Sequence, residues 1–253
     1  MNAPVAIVTG AGGAIGAAIA ARLATAGNLV VAADLDLAGA AATRAGITSA
    51  GGHADACQLD VADPHSRTDL VTGVLDRHGR IDVLVNCAGI LRDARIGDLT
   101  DQTLLPTLSV NLLGPLSLAR QVIDPMTAIG GGSIINIASR AWLGIFGSAS
   151  YSMTKGALVG VTRSLALELG PAGIRVNAIA PGYVQTPMSA GLPPKVVRRS
   201  VDATPLRRAG DPDDVARLAT ELAHPQTFVT GQVIAVCGGR TIGQPEMAEG
   251  TAS

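Results

Sequence analysis

The sequence predicts a single-domain α/β fold, a doubly wound parallel sheet of seven strands with helices on both faces. Short apolar runs alternate with longer segments of helical periodicity along nearly the whole chain, which is typical of βαβ units. The strand segments are continuously apolar, as expected where both faces of a sheet are buried. Of the 253 residues 47% are hydrophobic and only 15% are charged, so the chain can bury a large core.

The elements follow in order from these runs. Strands are predicted over residues 4–8, 29–33, 53–59, 83–86, 133–137, 175–179 and 232–236. Helices are predicted over residues 15–26, from about 36, from 64, over about 105–123, over 150–169 and over 212–222. Pro64 after Asp63 fits the first position of a capped helix, whereas Pro115 predicts a kink. Residues 187–208 are expected to be irregular, and the domain is expected to span 1–240, followed by a tail, 241–253.

Composition and charge exclude several classes of function. A net charge of −1 and the lack of a long basic run argue against nucleic-acid binding. The four histidines lack the spacing of metal ligands, so no metal is expected. The uncharged stretch 5–21 holds four glycines and is not interpreted as a membrane span or signal peptide. Three cysteines far apart in sequence favour a reduced, cytoplasmic protein.

A glycine-rich turn joins the first strand to the first helix: Thr9-Gly10-Ala11-Gly12-Gly13-Ala14-Ile15-Gly16. Glycines allow the backbone to approach a pyrophosphate, and the helix N-terminus presents free N–H groups to that anion. Asp34, 18 residues after Gly16, follows the second strand, where a carboxylate can bind ribose hydroxyls and repel a 2′-phosphate. No lysine or arginine lies between residues 23 and 43, so NAD is expected over NADP. The alternatives are that the glycine-rich segment is a tight turn that binds no ligand and that Asp34 only caps the next helix.

Tyr151 and Lys155 are spaced i and i+4, so they share one face of a helix. The chain has only two tyrosines and two lysines, and chance would rarely produce this pair. A nearby ammonium favours the phenolate form and lowers the pKa of a phenol, which can then exchange a proton with a substrate oxygen. The alternative is an ordinary pair on a helix surface.

These features together resemble the short-chain dehydrogenase/reductase family, whose compact members have a Rossmann-type fold. The turn is similar to the family's T-G-x-x-x-G-x-G, with Ala14 in place of the middle glycine. Further similar segments are Asp60-Val61, Asn86-Cys87-Ala88-Gly89, Val110-Asn111-Leu112, Asn136-Ile137-Ala138-Ser139 and Pro181-Gly182-Tyr183-Val184-Gln185-Thr186. The matches run in the family's order from Thr9 to about Gly239. Cys87 departs from the family's N-N-A-G, and Ala138 is a competing register for the serine.

The resemblance implies an NAD-dependent oxidoreductase and assigns roles to residues. Tyr151 exchanges the proton, Lys155 stabilises the phenolate and binds the nicotinamide ribose, Ser139 orients the substrate oxygen, and Asn111 joins a water-mediated proton relay. The residues expected to contact NAD are Gly10, Gly12, Gly13, Ile15, Gly16, Asp34, Leu35, Asp60, Val61, Asn86, Ala88, Gly89, Tyr151, Lys155, Pro181, Gly182, Val184 and Thr186. For Ser139 and Asn111 the alternatives are a turn serine and a helix-backbone contact.

Aromatic residues cluster on the substrate side. Trp142, Phe146 and Tyr183, with Met188, are expected to line an apolar pocket beside Ser139, and residues 187–208 to form a lid. The alternative is that these aromatic residues serve only ordinary packing. Three functions remain open: a secondary-alcohol dehydrogenase, a 3-oxoacyl-thioester reductase, and a non-catalytic dinucleotide-binding regulator. A homotetramer is expected by analogy with the family, packed through the long helices near 105–123 and 150–169 and the last strand.

Overall fold

A computed structural model of the chain describes residues 3–186, 191 and 193–243. Its strands are β1 (Val5–Thr9), β2 (Leu29–Asp34), β3 (His53–Gln58), β4 (Val83–Asn86), β5 (Gly132–Ile137), β6 (Ile174–Pro181) and β7 (Val233–Val236). Its α-helices are α1 (Ala14–Thr25), α2 (Leu37–Ser49), α3 (Pro64–His78), α4 (Asp101–Leu108), α5 (Gly114–Ala128), α6 (Ala149–Leu169), α7 (Pro194–Asp202) and α8 (Pro212–Ala223). Within the described ranges, no helix is long and apolar enough to cross a membrane.

The strands form one parallel sheet in the order β3-β2-β1-β4-β5-β6-β7, which confirms the predicted doubly wound fold. Successive strand residues face opposite sides: Ile7 and Ile134 belong to one core, Val8 and Ile135 to the other. Helices α3, α5 and α6 cover the first face, and α1 and α8 contribute to the second. The strand order reverses beside β1, and in such sheets a crevice opens at the carboxyl ends of the strands at that point.

The prediction of one long helix over about 105–123, kinked at Pro115, is wrong, because the structure divides this region into separate helical segments. Thr100 and Thr103 form a capping box that starts α4 at Asp101, and a π-helical segment, Ser109–Leu113, separates α4 from α5. Pro115 lies in the first turn of α5. Because proline has no N–H, Pro115 cannot donate to the carbonyl of Asn111 as an α-helix requires. The hydrogen bonding therefore changes to the π-helical pattern just before the proline.

The irregular segment predicted over 187–208 is also wrong in part. Residues 194–202 form α7, which starts at Pro194, and its half-buried positions Val197, Ser200 and Val201 recur at helical spacing. Arginine and proline content obscured this short amphipathic pattern. Residues 187–190 and 192, including Met188, lie outside the described residues, as does most of the predicted tail.

Candidate active site

The glycine-rich turn after β1 is too tight for side chains at two of its positions. Gly10 has φ +69°, and a Cβ there would lie 2.8 Å from the backbone of Ala88. A Cβ on Gly16 would lie 2.1 Å from the carbonyl oxygen of Gly10. The Gly13 N–H donates to the same oxygen at 3.1 Å. The turn therefore brings bare backbone and the N-terminus of α1 to the crevice, as a pyrophosphate site requires.

Asp34 is the last residue of β2, and its carboxylate lies against the glycine-rich turn. Its Oδ2 accepts the Gly12 N–H at 2.8 Å, and its Oδ1 accepts the Asp36 N–H at 3.0 Å. The N-cap of α2 is Asp36, whose side chain accepts from Ala38. Asp34 is therefore not the cap of that helix, and Leu35 beside it is exposed.

A second aspartate follows β3. Asp60 accepts the Ala62 N–H at 2.8 Å, which fixes a short turn, and its own N–H donates to Ser66 at 3.0 Å. Val61 is buried, and its carbonyl oxygen accepts from Arg67 at 2.6 Å. Both residues thus stand at the carboxyl edge of the sheet, next to the end of β2.

Thr9 connects the ends of β1 and β4, a link that the sequence analysis missed. Its Oγ1 accepts the N–H groups of Cys87 and Ala88, each at 3.1 Å. Asn86 is buried, and its amide donates to the Asn136 side chain at 2.9 Å. Asn86 therefore braces neighbouring strands β4 and β5. The recurrence of asparagine near the ends of both strands was the available signal.

Lys155 is buried, with 4% of its surface exposed. Its ammonium donates to the Ile137 carbonyl at 2.7 Å and lies 5.6 Å from the centre of the Tyr151 ring. Burial lowers the pKa of Lys155 to about 8. A Cβ on Gly89 would lie 3.7 Å from Nζ, so this glycine keeps space beside the ammonium. The predicted shared helix face is confirmed.

Tyr151 has a raised pKa, opposite to the direction predicted from its spacing to Lys155. Burial is the main cause, and hydrogen bonding to Ser139 acts in the other direction. The phenolate loses hydration, while the Lys155 ammonium donates to a carbonyl rather than to the phenol. Ser139 also accepts the Ala141 N–H at 3.1 Å and caps a short 3₁₀ turn. The phenol and the serine hydroxyl thus belong to one cluster.

Asn111 lies in the π-helical segment and is fully buried. Its Oδ1 accepts the Ile90 N–H at 2.8 Å, and its Nδ2 donates to the Ile90 carbonyl at 2.9 Å. Nδ2 also approaches Thr154 at 3.4 Å, one residue before Lys155. The side chain thus ties the loop after β4 to α6 and does not bond its own helix, the alternative considered from sequence.

The segment after β6 forms the far wall of the crevice. Pro181 ends β6 opposite Val236, and the Gly182 N–H donates to the Val236 carbonyl at 2.9 Å. Val184 is buried and pairs with Gly210 in an isolated bridge. Thr186 is the last described residue before the gap at 187.

The predicted aromatic wall is present only in part. Trp142 is half-buried, and its indole N–H has no partner among the described residues. Phe146 is 88% exposed and lies at the surface, with the Arg95 guanidinium 5.4 Å from its ring centre. Tyr183 lines a cavity of about 220 Å³ together with Cys237. Phe146 therefore does not line an enclosed pocket.

Known proteins resemble this chain over nearly its whole length. The family model described as enoyl-(acyl carrier protein) reductase matches residues 10–241. Short-chain reductase protein NovJ of Streptomyces niveus is 42% identical, covering 93% of each chain, and 3-oxoacyl-[acyl-carrier-protein] reductase FabG of Thermotoga maritima is 35% identical, covering 96% and 99%. The structure of a 7α-hydroxysteroid dehydrogenase complexed with NADH and 7-oxo glycochenodeoxycholic acid has a TM-score of 0.91, 33% identity and 94% coverage of each chain.

The glycine-rich turn lies where the strand order of the sheet reverses, and a tyrosine–lysine–serine cluster lies opposite it. These two features define a Rossmann-fold oxidoreductase that uses a nicotinamide dinucleotide. The chain belongs to the short-chain dehydrogenase/reductase family. It is an enzyme acting on CH–OH and C=O groups. The residues present fit the cofactor, since the bare turn at Gly10 and Gly16 and the space beside Gly89 would admit it.

Proposed function

We propose that the protein is an NAD-dependent dehydrogenase of secondary alcohols, which also reduces the corresponding ketones. The observation that carries the chemistry is the buried Lys155 ammonium beside the Tyr151 ring, 5.6 Å from its centre. Burying an ammonium without a carboxylate partner is unfavourable. A proton-exchanging phenol beside it supplies the functional reason for keeping it there.

The preference for NAD rests on Asp34. Its carboxylate is oriented by the Gly12 and Asp36 N–H groups, at the place where the adenosine ribose of a dinucleotide on this cradle would lie. A fixed negative charge there accepts ribose hydroxyls and repels a 2′-phosphate. Gly10, Gly12, Gly13, Ile15 and Gly16 would hold the pyrophosphate, and Asp60 with Val61 the adenine.

Residues of the chain itself would transfer the proton, orient the substrate and stabilise the negative charge. The bound nicotinamide supplies the hydride acceptor or donor. In alcohol oxidation, the Tyr151 oxygen takes the hydroxyl proton, and Ser139 holds the substrate oxygen within reach of it. Lys155 stabilises the negative charge on the phenolate and would bind the ribose of the nicotinamide. The Asn111 carbonyl, which Pro115 cannot bond, would hold a water that connects Lys155 to solvent.

The decisive experiment measures NAD- and NADP-linked oxidation of secondary alcohols, hydroxysteroids, polyols and 3-hydroxyacyl thioesters. Tyr151→Phe is assayed beside the wild type, and Tyr183→Phe, which changes the only other tyrosine, measures the effect of losing a pocket phenol that is not assigned the proton transfer. Tyr151→Phe should reduce kcat by roughly 100- to 10,000-fold and leave NADH binding within twofold. Turnover by this variant within tenfold of the wild type would refute the assignment.

A second candidate is reduction of 3-oxoacyl thioesters. It is favoured by relatives whose names specify such substrates: the FabG of Thermotoga maritima and the human (3R)-3-hydroxyacyl-CoA dehydrogenase, 34% identical. The exposed arginines Arg198 and Arg199 on α7 would suit a phosphate-bearing carrier. Thioesters turned over at least a hundredfold more efficiently than simple ketones would favour this candidate.

The assembly and surroundings complete the proposal. We infer a homotetramer, because α5 and α6 expose the apolar residues Leu116, Met153 and Leu167, which helix packing between subunits would cover. The three free cysteines favour the reducing cytoplasm as its location. The segment 193–208 would act as the described part of a lid over the substrate, within a domain spanning 1–240. Light scattering that gives the mass of a monomer would contradict the tetramer.

A further inference from the structure

Six arginines of the described residues are partly or fully buried, and Arg140 differs from the other five. Two of the others pair with aspartates and three donate to backbone carbonyls: Arg22, Arg80, Arg67, Arg175 and Arg240. Arg140 is half-buried, and its guanidinium makes no hydrogen bond or ion pair within the described ranges of the chain. An unpaired cation with reduced hydration is unfavourable unless something supplies an anion.

A second guanidinium increases this imbalance. Burial, together with the like charge of Arg240, lowers the pKa of Arg140. Cys237 acts on the pKa of Arg140 in the opposite direction, which it can do only as a thiolate, and its Sγ lies 3.3 Å from the Thr241 hydroxyl. No carboxylate of the described residues pairs with either arginine. The cluster therefore carries uncompensated positive charge.

The cluster lies on the substrate side of the crevice. Arg140 directly follows Ser139, so the two Cα atoms are about 3.8 Å apart. Cys237 packs against Gly182, where a Cβ would lie 2.8 Å from the Cys237 Cα, and lines the 220 Å³ cavity with Tyr183. The glycine-rich turn, which would take the cofactor phosphates, follows β1, and β4 and β5 lie between it and β6.

We propose that Arg140 is a specificity-determining residue that binds a carboxylate of the substrate, with Arg240 adding positive charge beside it. The proposal rests on the proposed function, because it concerns the substrate of the same site. The planar guanidinium matches a carboxylate with two parallel hydrogen bonds. Because Arg140 adjoins Ser139, the carboxylate belongs a few bonds from the reacting carbon. Hydroxy and oxo acids meet this condition, whereas a thioester carrier places its phosphates far from that carbon.

The test uses Trp142, the only tryptophan, which lies two residues from Arg140. Its fluorescence is titrated in the NADH-loaded enzyme, which cannot oxidise them, with 3-, 4- and 5-hydroxy acids and with their methyl esters. At least one acid should bind tighter than its ester by roughly tenfold or more, as hydrogen bonds to charged groups contribute on this scale. Arg140→Gln should remove that difference, and Arg140→Lys should keep part of it.

Two further variants separate possible explanations. Arg163→Gln, which changes an exposed arginine of α6, should leave the acid preference unchanged. Tyr151→Phe should lower kcat by roughly 100- to 10,000-fold yet keep the acid preference in binding, so loss of the proposed chemistry and loss of the carboxylate site give different results. Equal affinity of the wild type for every acid and its ester, or equal weakening of both by Arg140→Gln, would overturn the proposal. Unchanged NADH affinity verifies that each variant is folded.

Discussion

The two halves of the crevice are built in different ways. On the β1–β3 side, Gly12, Gly16 and Asp34 belong to turns whose polar groups are satisfied by neighbouring backbone. On the β5–β7 side, Lys155 and Arg140 are charged groups removed from water with no carboxylate partner among the described residues. In the first half, the shape of the backbone forms the proposed cofactor surface. In the second half, these buried positive charges lack a counter-charge in the described part of the chain, and a bound ligand would supply one.

Lys155→Arg is expected to give the largest effect, on the catalytic half. A guanidinium is larger than an ammonium and cannot titrate near pH 8 as the buried Lys155 does. We expect kcat to fall at least about 100-fold, within the range of proton-transfer contributions. Steady-state kinetics measures this, and Lys195→Arg on exposed α7 is the control. A loss of less than fivefold would contradict a role for the buried ammonium.

Gly16→Ala is the corresponding change on the cofactor half. Its Cβ would meet the Gly10 carbonyl at 2.1 Å, and relieving this contact should cost about 1–3 kcal/mol in turn geometry. We expect a lower Tm and NADH affinity weakened by roughly 5- to 150-fold. Gly46→Ala on α2 is the control, because a Cβ there would meet nothing within 4 Å. Identical NADH affinities in the two variants would show that the turn is more plastic than its geometry indicates.

Asp34→Ala addresses cofactor choice on the same half. Removing the carboxylate eliminates charge-assisted hydrogen bonds worth about 1.5–3 kcal/mol and the repulsion of a 2′-phosphate. The ratio of kcat/KM for NAD to that for NADP should fall by roughly 10- to 150-fold. Asp36→Ala, which removes the cap of α2, should lower Tm without changing that ratio. An unaltered ratio in Asp34→Ala would exclude Asp34 as the determinant.

The smallest expected effect is a pH shift on the catalytic half. The pKa of Tyr151 is raised by burial, so the phenolate needed for alcohol oxidation becomes more populated as pH increases. The kcat/KM for oxidation should therefore rise from pH 6 to pH 10, and that for ketone reduction should not. Ser139→Ala removes the hydrogen bond that lowers this pKa and should move the rise to higher pH. A flat oxidation profile would indicate a different proton acceptor.

The sequence predicted the two halves of the crevice to different extents. It predicted the seven strands in order and placed Tyr151 and Lys155 on one helix face, but it missed α7. It placed Phe146 in a pocket, although the residue is exposed, and it predicted the wrong direction for the pKa of Tyr151. Exposure and desolvation depend on which segments pack nearby, and a local pattern does not contain that information.

The sequence by itself determined the doubly wound sheet and the glycine-rich turn, because hydrophobic periodicity and glycine geometry act over neighbouring residues. The i, i+4 spacing likewise placed Tyr151 and Lys155 on one helix face. Only the tertiary structure decided that Lys155 is buried against the Ile137 carbonyl and that Arg140 lies near Arg240, 100 positions along the chain. Those charges were brought together by packing of the sheet and its helices, and their energies depend on the water that this packing removes.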